Sequence, residues 1–254
     1  MTLFSGFIFL FWLALLLGIT LWLPVGSTAM VQLFSAMDPS QSALYLNGAQ
    51  SVFTLAASVV LLYAWRSFFK DRKVWARLAA LSLPPLLAWC VLASRMPALL
   101  EEPVVTVILM MASGAILMVV SRLHAADGAP DVRSAFAAGC TGCLGMLPGY
   151  GLISALLTGL AAAGKGGTAA YQYACLGALP VMIVKSVSQL VSADMSAFAG
   201  QNLISLVVCT ILVIILTFTA IRFASLWFRR HTVFVFGVFR IAAGIVMLLI
   251  YMVF

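Results

Sequence analysis

Leu147-Pro148-Gly149-Tyr150-Gly151 interrupts an apolar stretch that runs from about 134 to 162. Proline removes a helix donor and glycine adopts backbone conformations other residues avoid, so this run predicts a helix, a break and a second helix. A counterpart stands near the amino terminus, where Leu23-Pro24-Val25-Gly26-Ser27-Thr28 interrupts the stretch from 3 to 36. Non-helical backbone at membrane depth is tolerated only where protein buries it or where it lines a wet cavity. Each broken stretch therefore reads as a re-entrant hairpin. Breaks at corresponding positions of two halves point to a binding site at their interface.

The surrounding composition sets the solvent. Hydrophobic residues make up 64% of the 254, charged residues 8%, and the mean hydropathy is +1.16. A water-soluble fold needs more polar surface than this chain can offer. The longest polar stretch, from Arg122 to Arg133, is too short for a separate extramembrane domain. Three further apolar segments follow each break, at about 42–65, 78–99 and 103–121, then 168–190, 199–221 and 233–254. Each approaches the ~20 residues that cross a bilayer. The expected fold is an all-α polytopic membrane protein of six transmembrane helices plus two re-entrant helical hairpins. It is one membrane domain made of inverted-topology repeats, about 1–121 and 134–254.

Charge gives the orientation. The formal net charge of +7 is concentrated at segment ends: Arg66, Lys70, Arg72, Lys73 and Arg77; Arg122 and Arg133; Arg222, Arg229, Arg230 and His231. Such clusters mark cytoplasmic loops, not a nucleic-acid footprint. The loops at Asp38, Glu101-Glu102 and Asp194 then lie outside, as do both termini. No Lys or Arg precedes Arg66, so the amino terminus lacks the basic region of a secretory signal. Cys140-x-x-Cys143 has metal or redox spacing, but no second pair follows and neither His124 nor His231 stands at ligand spacing. Buried free thiols, without metal or cofactor, are expected.

Thr20 to Met30, reading TLWLPVGSTAM, resembles the T-E-F-L-P-V-S-S-T-G-H motif of the undecaprenyl-diphosphate phosphatases of bacitracin resistance. Gly139-Cys140-Thr141-Gly142-Cys143 through Pro148-Gly149-Tyr150-Gly151-Leu152-Ile153-Ser154 is similar to that family's second motif, which ends P-G-x-S-R-S-G. The similarity continues through Leu179-Pro180-Val181-Met182 and through Phe239-Arg240-Ile241-Ala242. It implies the same fold of six spans and two hairpins. The departures gather where the family's chemistry lies. Its E-x-x-x-E pair falls on Leu17 and Leu21, its histidine on Met30, its Ser-Arg on Gly151 and Leu152, and a later Glu on Gln172. Phosphoryl transfer needs cationic stabilisation and a group that handles the nucleophile's proton. The sequence therefore predicts a degenerate member, not an enzyme. It would bind a polyprenyl-phosphate or related anionic lipid and flip it across the bacterial cytoplasmic membrane. A residual prenyl-diphosphate phosphatase using Ser27, and an accessory subunit docking envelope-glycan enzymes or a second copy, are the alternatives.

The candidate lipid-phosphate site comprises Gly26, Ser27 and Thr28 in the first break, and Gly149, Tyr150, Gly151 and Ser154 in the second. Ser27 and Thr28 could cap a half-helix whose dipole faces an anion. Tyr150 could donate to a phosphate oxygen, or pack. Gln50 and Gln172 are amides in apolar spans, suited to interhelical bonds or to a ligand. Lys185 either snorkels to headgroups or faces the site and pairs with phosphate.

Overall fold

The structure is a computed structural model that describes residues 3–37, 43–92, 102–123, 126–193 and 201–253. Ten α-helices follow one another along them. The first broken unit is α1 (Leu3–Thr20) and α2 (Ser27–Met37), followed by α3 (Ala43–Ala64), α4 (Arg72–Leu92) and α5 (Pro103–Val120). The second is α6 (Val132–Gly142) and α7 (Leu152–Ala162), followed by α8 (Gly167–Ser192), α9 (Gln201–Trp227) and α10 (Phe234–Val253). A parallel pairing of β1 (Ala126–Asp127) with β2 (Lys165–Gly166) ties the entry of the second unit to its exit.

Six helices, α3, α4, α5, α8, α9 and α10, are long and apolar enough to cross a membrane. By contrast α2, α6 and α7 have 11 residues each, about 16 Å of helix against a hydrocarbon core of ~30 Å. Large apolar side chains such as Val59, Leu87, Val119 and Ile204 face outward, which costs nothing where the solvent is lipid. The protein is an all-α, multi-pass membrane protein.

Helix bounds differ from the sequence expectation at the basic ends. Arg72, Lys73 and Arg77, read as loop, stand on the opening turns of α4, and α9 runs past Arg222 to Trp227. Basic side chains have long apolar stems, so a helix can continue beyond the hydrocarbon while its charges reach water. Arg77 Nη1 donates to the Tyr173 hydroxyl at 3.2 Å, fastening α4 to α8. The loops at Asp38, Glu101 and Asp194, residue 124 and the last residues of the expected 78–99 segment lie outside the described residues.

Three packings position the breaks. In the first, α1 lies along α9 and α6 along α4, while α3 meets α8 and α5 meets α10. In the second, α6 and α7 fold against each other: a Cβ at Gly159 would stand 2.6 Å from Ala138 Cα, and Thr141 Oγ1 donates to the Ala155 carbonyl at 3.1 Å. In the third, α5 and α10 cross with Gly114 and Gly237 facing each other. A Cβ on either would lie 2.8 or 2.6 Å from the other's carbonyl oxygen. Small residues at such crossings let backbones approach where lipid gives no hydrophobic drive. One turn beyond Gly237, the same face of α10 carries Arg240, whose Cβ lies against Gly114.

Candidate functional site

Each break is built from backbone. In the first, the Leu23 N–H bonds the Thr20 carbonyl and the Val25 N–H bonds the Leu23 carbonyl. The Trp22 carbonyl, left without a helical partner, accepts the Tyr171 hydroxyl at 3.1 Å and the Cys175 thiol at 3.7 Å. Gly26, at φ +84°, then turns the chain into α2. In the second, a 3-10 turn over Cys143–Met146 leads to Leu147 and Pro148, and Gly149 (φ +79°) presses on α5 so closely that a Cβ there would stand 2.0 Å from the Thr106 carbonyl oxygen. Gly151, at φ +78°, starts α7 with no side-chain cap. Glycine alone occupies such φ values without strain.

The two breaks meet at Arg240. Its side chain is fully buried. Nη2 donates to the Gly149 carbonyl at 2.6 Å and also to the Tyr150 carbonyl. The same nitrogen lies 3.1 Å from a Cβ built on Gly26 and 3.6 Å from one built on Gly151. Both helix-starting glycines therefore stand against one guanidinium nitrogen. Nε and Nη1 are buried and have no hydrogen-bond partner among the described residues. Thr28 Oγ1, Thr106 Oγ1, the Tyr150 hydroxyl and Ser154 Oγ are likewise buried and unpartnered.

The electrostatics are one-sided. The first N–H groups of α2 and α7 have no intrahelical acceptor, and each helix start carries roughly half a positive charge. Two such ends and a guanidinium converge. The described acids, Asp71, Glu102, Asp127 and Asp131, all lie in loops or at helix ends. Leu17 and Leu21 are buried apolar core. An unpaired buried ion carries an effective penalty of several kcal/mol, and Arg240 has no carboxylate partner among the described residues.

Five of the sequence candidates are gathered around Arg240, namely Gly26, Gly149, Tyr150, Gly151 and Ser154, while Ser27 and Thr28 follow Gly26 on the first turn of α2. No hydrogen bond among the described residues joins Gln50, Gln172 or Lys185 to them. Lys185 was singled out as the charge of interest. Among the described residues the cation bonded to the second break is Arg240, which the sequence reading cites only within the carboxyl-terminal motif. A charge flanked by Phe239 and Ile241 inside a span was the available signal. The cysteines divide: Cys175 and Cys209 are buried free thiols as expected, whereas Cys90 and Cys140 are exposed and Cys143 is half-buried.

Residues 10–246 match the family model described as bacitracin resistance protein BacA. The chain belongs to that family. It is 26% identical over 245 residues to an undecaprenyl-diphosphatase of Flavobacterium psychrophilum, covering 94% of each chain. It is 26% identical over 249 residues to that of Flavobacterium johnsoniae, again at 94% of each, and 24% identical over 256 residues to that of Enterococcus faecalis, at 92% of each. These matches overturn the expectation that the chain is not an enzyme, because relatives along nearly its whole length carry the name of a phosphatase. That expectation rested on the departures at 17, 21, 30, 151, 152 and 172 from the resembled motifs.

Proposed function

We propose that this protein is a membrane-embedded phosphatase acting on a prenyl diphosphate, in a bacterial cytoplasmic membrane. The observation that carries the reading is Arg240, fully buried between two helix starts with Nε and Nη1 free. A diphosphate supplies the missing negative charge, and its prenyl chain suits an apolar surround. Gly151, where a Cβ would meet only Arg240 Nη2 at 3.6 Å and Ser154 Oγ at 3.7 Å, leaves room for a phosphate oxygen, with Thr28, Tyr150 and Ser154 as additional donors. Preorganised donors of this kind stabilise charge that builds on a transferring phosphoryl group.

Ser27, the first residue of α2, is the nucleophile in this scheme. Its hydroxyl oxygen attacks the terminal phosphorus, and the anhydride P–O bond breaks with its electron pair leaving on the prenyl monophosphate. The hydroxyl proton passes to a non-bridging oxygen of the substrate. Water then attacks the phosphoserine, releasing inorganic phosphate and restoring Ser27. Phosphate release from farnesyl diphosphate by the detergent-purified protein, lost in Ser27→Ala, is the expected result. Equal release by the variant would remove Ser27 from the scheme, and no release by the intact protein would remove the hydrolytic reading.

Movement of the lipid between leaflets is a second reading, favoured by one feature. The packing of α1 on α9 is matched by that of α6 on α4, the relation expected of inverted repeats around a shared site. Transbilayer movement of a fluorescent prenyl phosphate in proteoliposomes tests it, and an unchanged rate relative to empty vesicles would refute it.

A further inference from the structure

A second cationic site lies at the opposite end of α7 from Arg240. There a cavity of about 240 Å³ opens between the ends of α5 and α7, the start of α8 and the turn joining α9 to α10. Lys165, Arg229, Arg230 and His231 line it, together with Ser121 and one acid, Asp127. Ala161, in its wall, is nine residues along α7 from Leu152, so the cavity stands about 13 Å down that helix from the second break.

We propose that this cavity binds an anion bearing a phosphate group, either free phosphate or the headgroup of an anionic phospholipid. Asp127 does not neutralise it. Its carboxylate lies against the start of α8, where a Cβ on Gly167 would stand 2.5 Å from Oδ1, and it is one acid among Lys165, Arg229 and Arg230. No ion pair within 4 Å joins Lys165, Arg229 or Arg230 to a carboxylate among the described residues, although Lys165 exerts a weak attraction on Asp131. Much of the remaining wall is apolar, with Leu157 and Phe228 among its members. Low-dielectric walls focus the field of the basic groups into the space between them. His231 is held in place by stacking on Trp227, with ring centroids 4.2 Å apart. The inference does not depend on hydrolysis at Arg240.

The test uses the full chain in nanodiscs. Retention of radiolabelled orthophosphate is measured by equilibrium dialysis, and retention of phosphatidylglycerol over phosphatidylcholine by native mass spectrometry. The variant combines Lys165→Gln, Arg229→Gln and Arg230→Gln. Arg229 and Arg230 are exposed and Lys165 is half-buried in β2, outside the helices, so helical content by circular dichroism is expected to be unchanged. At least tenfold weaker retention of one probe by the variant supports the site. Orthophosphate alone assigns free phosphate, and phosphatidylglycerol alone assigns the lipid headgroup. Retention of neither probe by the unaltered chain, equal retention by the variant, or a loss produced instead by Arg240→Met overturns the proposal.

Discussion

Arg240→Met separates binding from folding because the two effects come from different atoms. In the folded chain, Nη2 holds the Gly149 and Tyr150 carbonyls. Removing it leaves two buried acceptors unpaired, at about 1–3 kcal/mol each. The same substitution removes a buried charge without a protein counter-ion, relieving a penalty of several kcal/mol. These terms oppose each other, so the thermal midpoint in detergent is expected to move by only a few degrees. Substrate sees a different balance. Nε and Nη1 are the free donors, and a hydrogen bond to a charged group is worth about 1.5–3 kcal/mol. Losing both weakens the transition state by about 3–6 kcal/mol, a fall of roughly 10²- to 10⁴-fold in kcat/KM for phosphate release. Arg240→Lys keeps the charge but not the planar fork that spans carbonyls and phosphate together. It is expected to recover at least tenfold over Met, and it provides the readout should Met prove unable to fold. A folded Met variant releasing phosphate within threefold of the unaltered protein would refute the argument that the guanidinium is there for an anion.

Gly149→Ala is expected to lower stability by more than 2 kcal/mol, since φ is +79° and the new Cβ would strike the Thr106 carbonyl oxygen at 2.0 Å. Gly128→Ala, with nothing within 4 Å, serves as the near-neutral control in the same thermal denaturation. Tyr171→Phe takes the hydroxyl from the Trp22 carbonyl and should cost about 1–3 kcal/mol; an unchanged midpoint would show that the Cys175 thiol satisfies that carbonyl alone. Asp131 accepts a 2.6 Å hydrogen bond from Ser134 Oγ, which holds its carboxyl below the ordinary range. A depressed folded pKa contributes stability above the unfolded value of about 3.9 and loses it as pH falls further. Asp131→Asn should therefore lower stability at neutral pH, by a margin that shrinks as pH falls below about 4, and a margin that does not change with pH would refute the assignment.

The fold was legible because its signals are local. Leu-Pro followed by glycine marks a break wherever it falls, and the α1–α2 and α6–α7 junctions at 21–26 and 147–151 lie where those residues predict. The helix ends were less legible, because Arg72 and Arg222 read as loop by charge alone while the backbone beneath them continues. The polar residues of the site were legible for the same local reason as the breaks. The cation that joins them was not. Arg240 bonds residues 90 and 91 positions away through their main-chain carbonyls, and a carbonyl has no sequence signature. What directs Arg240 inward is the Gly114–Gly237 crossing, itself a pairing of residues 123 positions apart. Lys185 carries the same kind of signal, a charge within an apolar span, and sequence offers no means of ranking the two.

Charge also bears on why the breaks hold no acid. A carboxylate beside Arg240 would pair with it and compete with a phosphate for Nε and Nη1, the donors left free by the Gly149 and Tyr150 carbonyls. Carbonyls hold the guanidinium in place without cancelling its charge. Leucine at 17 and 21 is buried apolar core, and a buried guanidinium attracts an anion more strongly than an exposed one does. Among the described residues no carboxylate is bonded at the breaks, and in the proposed scheme the Ser27 proton therefore goes to the substrate. In that scheme, a free guanidinium and a substrate-borne proton follow from one electrostatic arrangement.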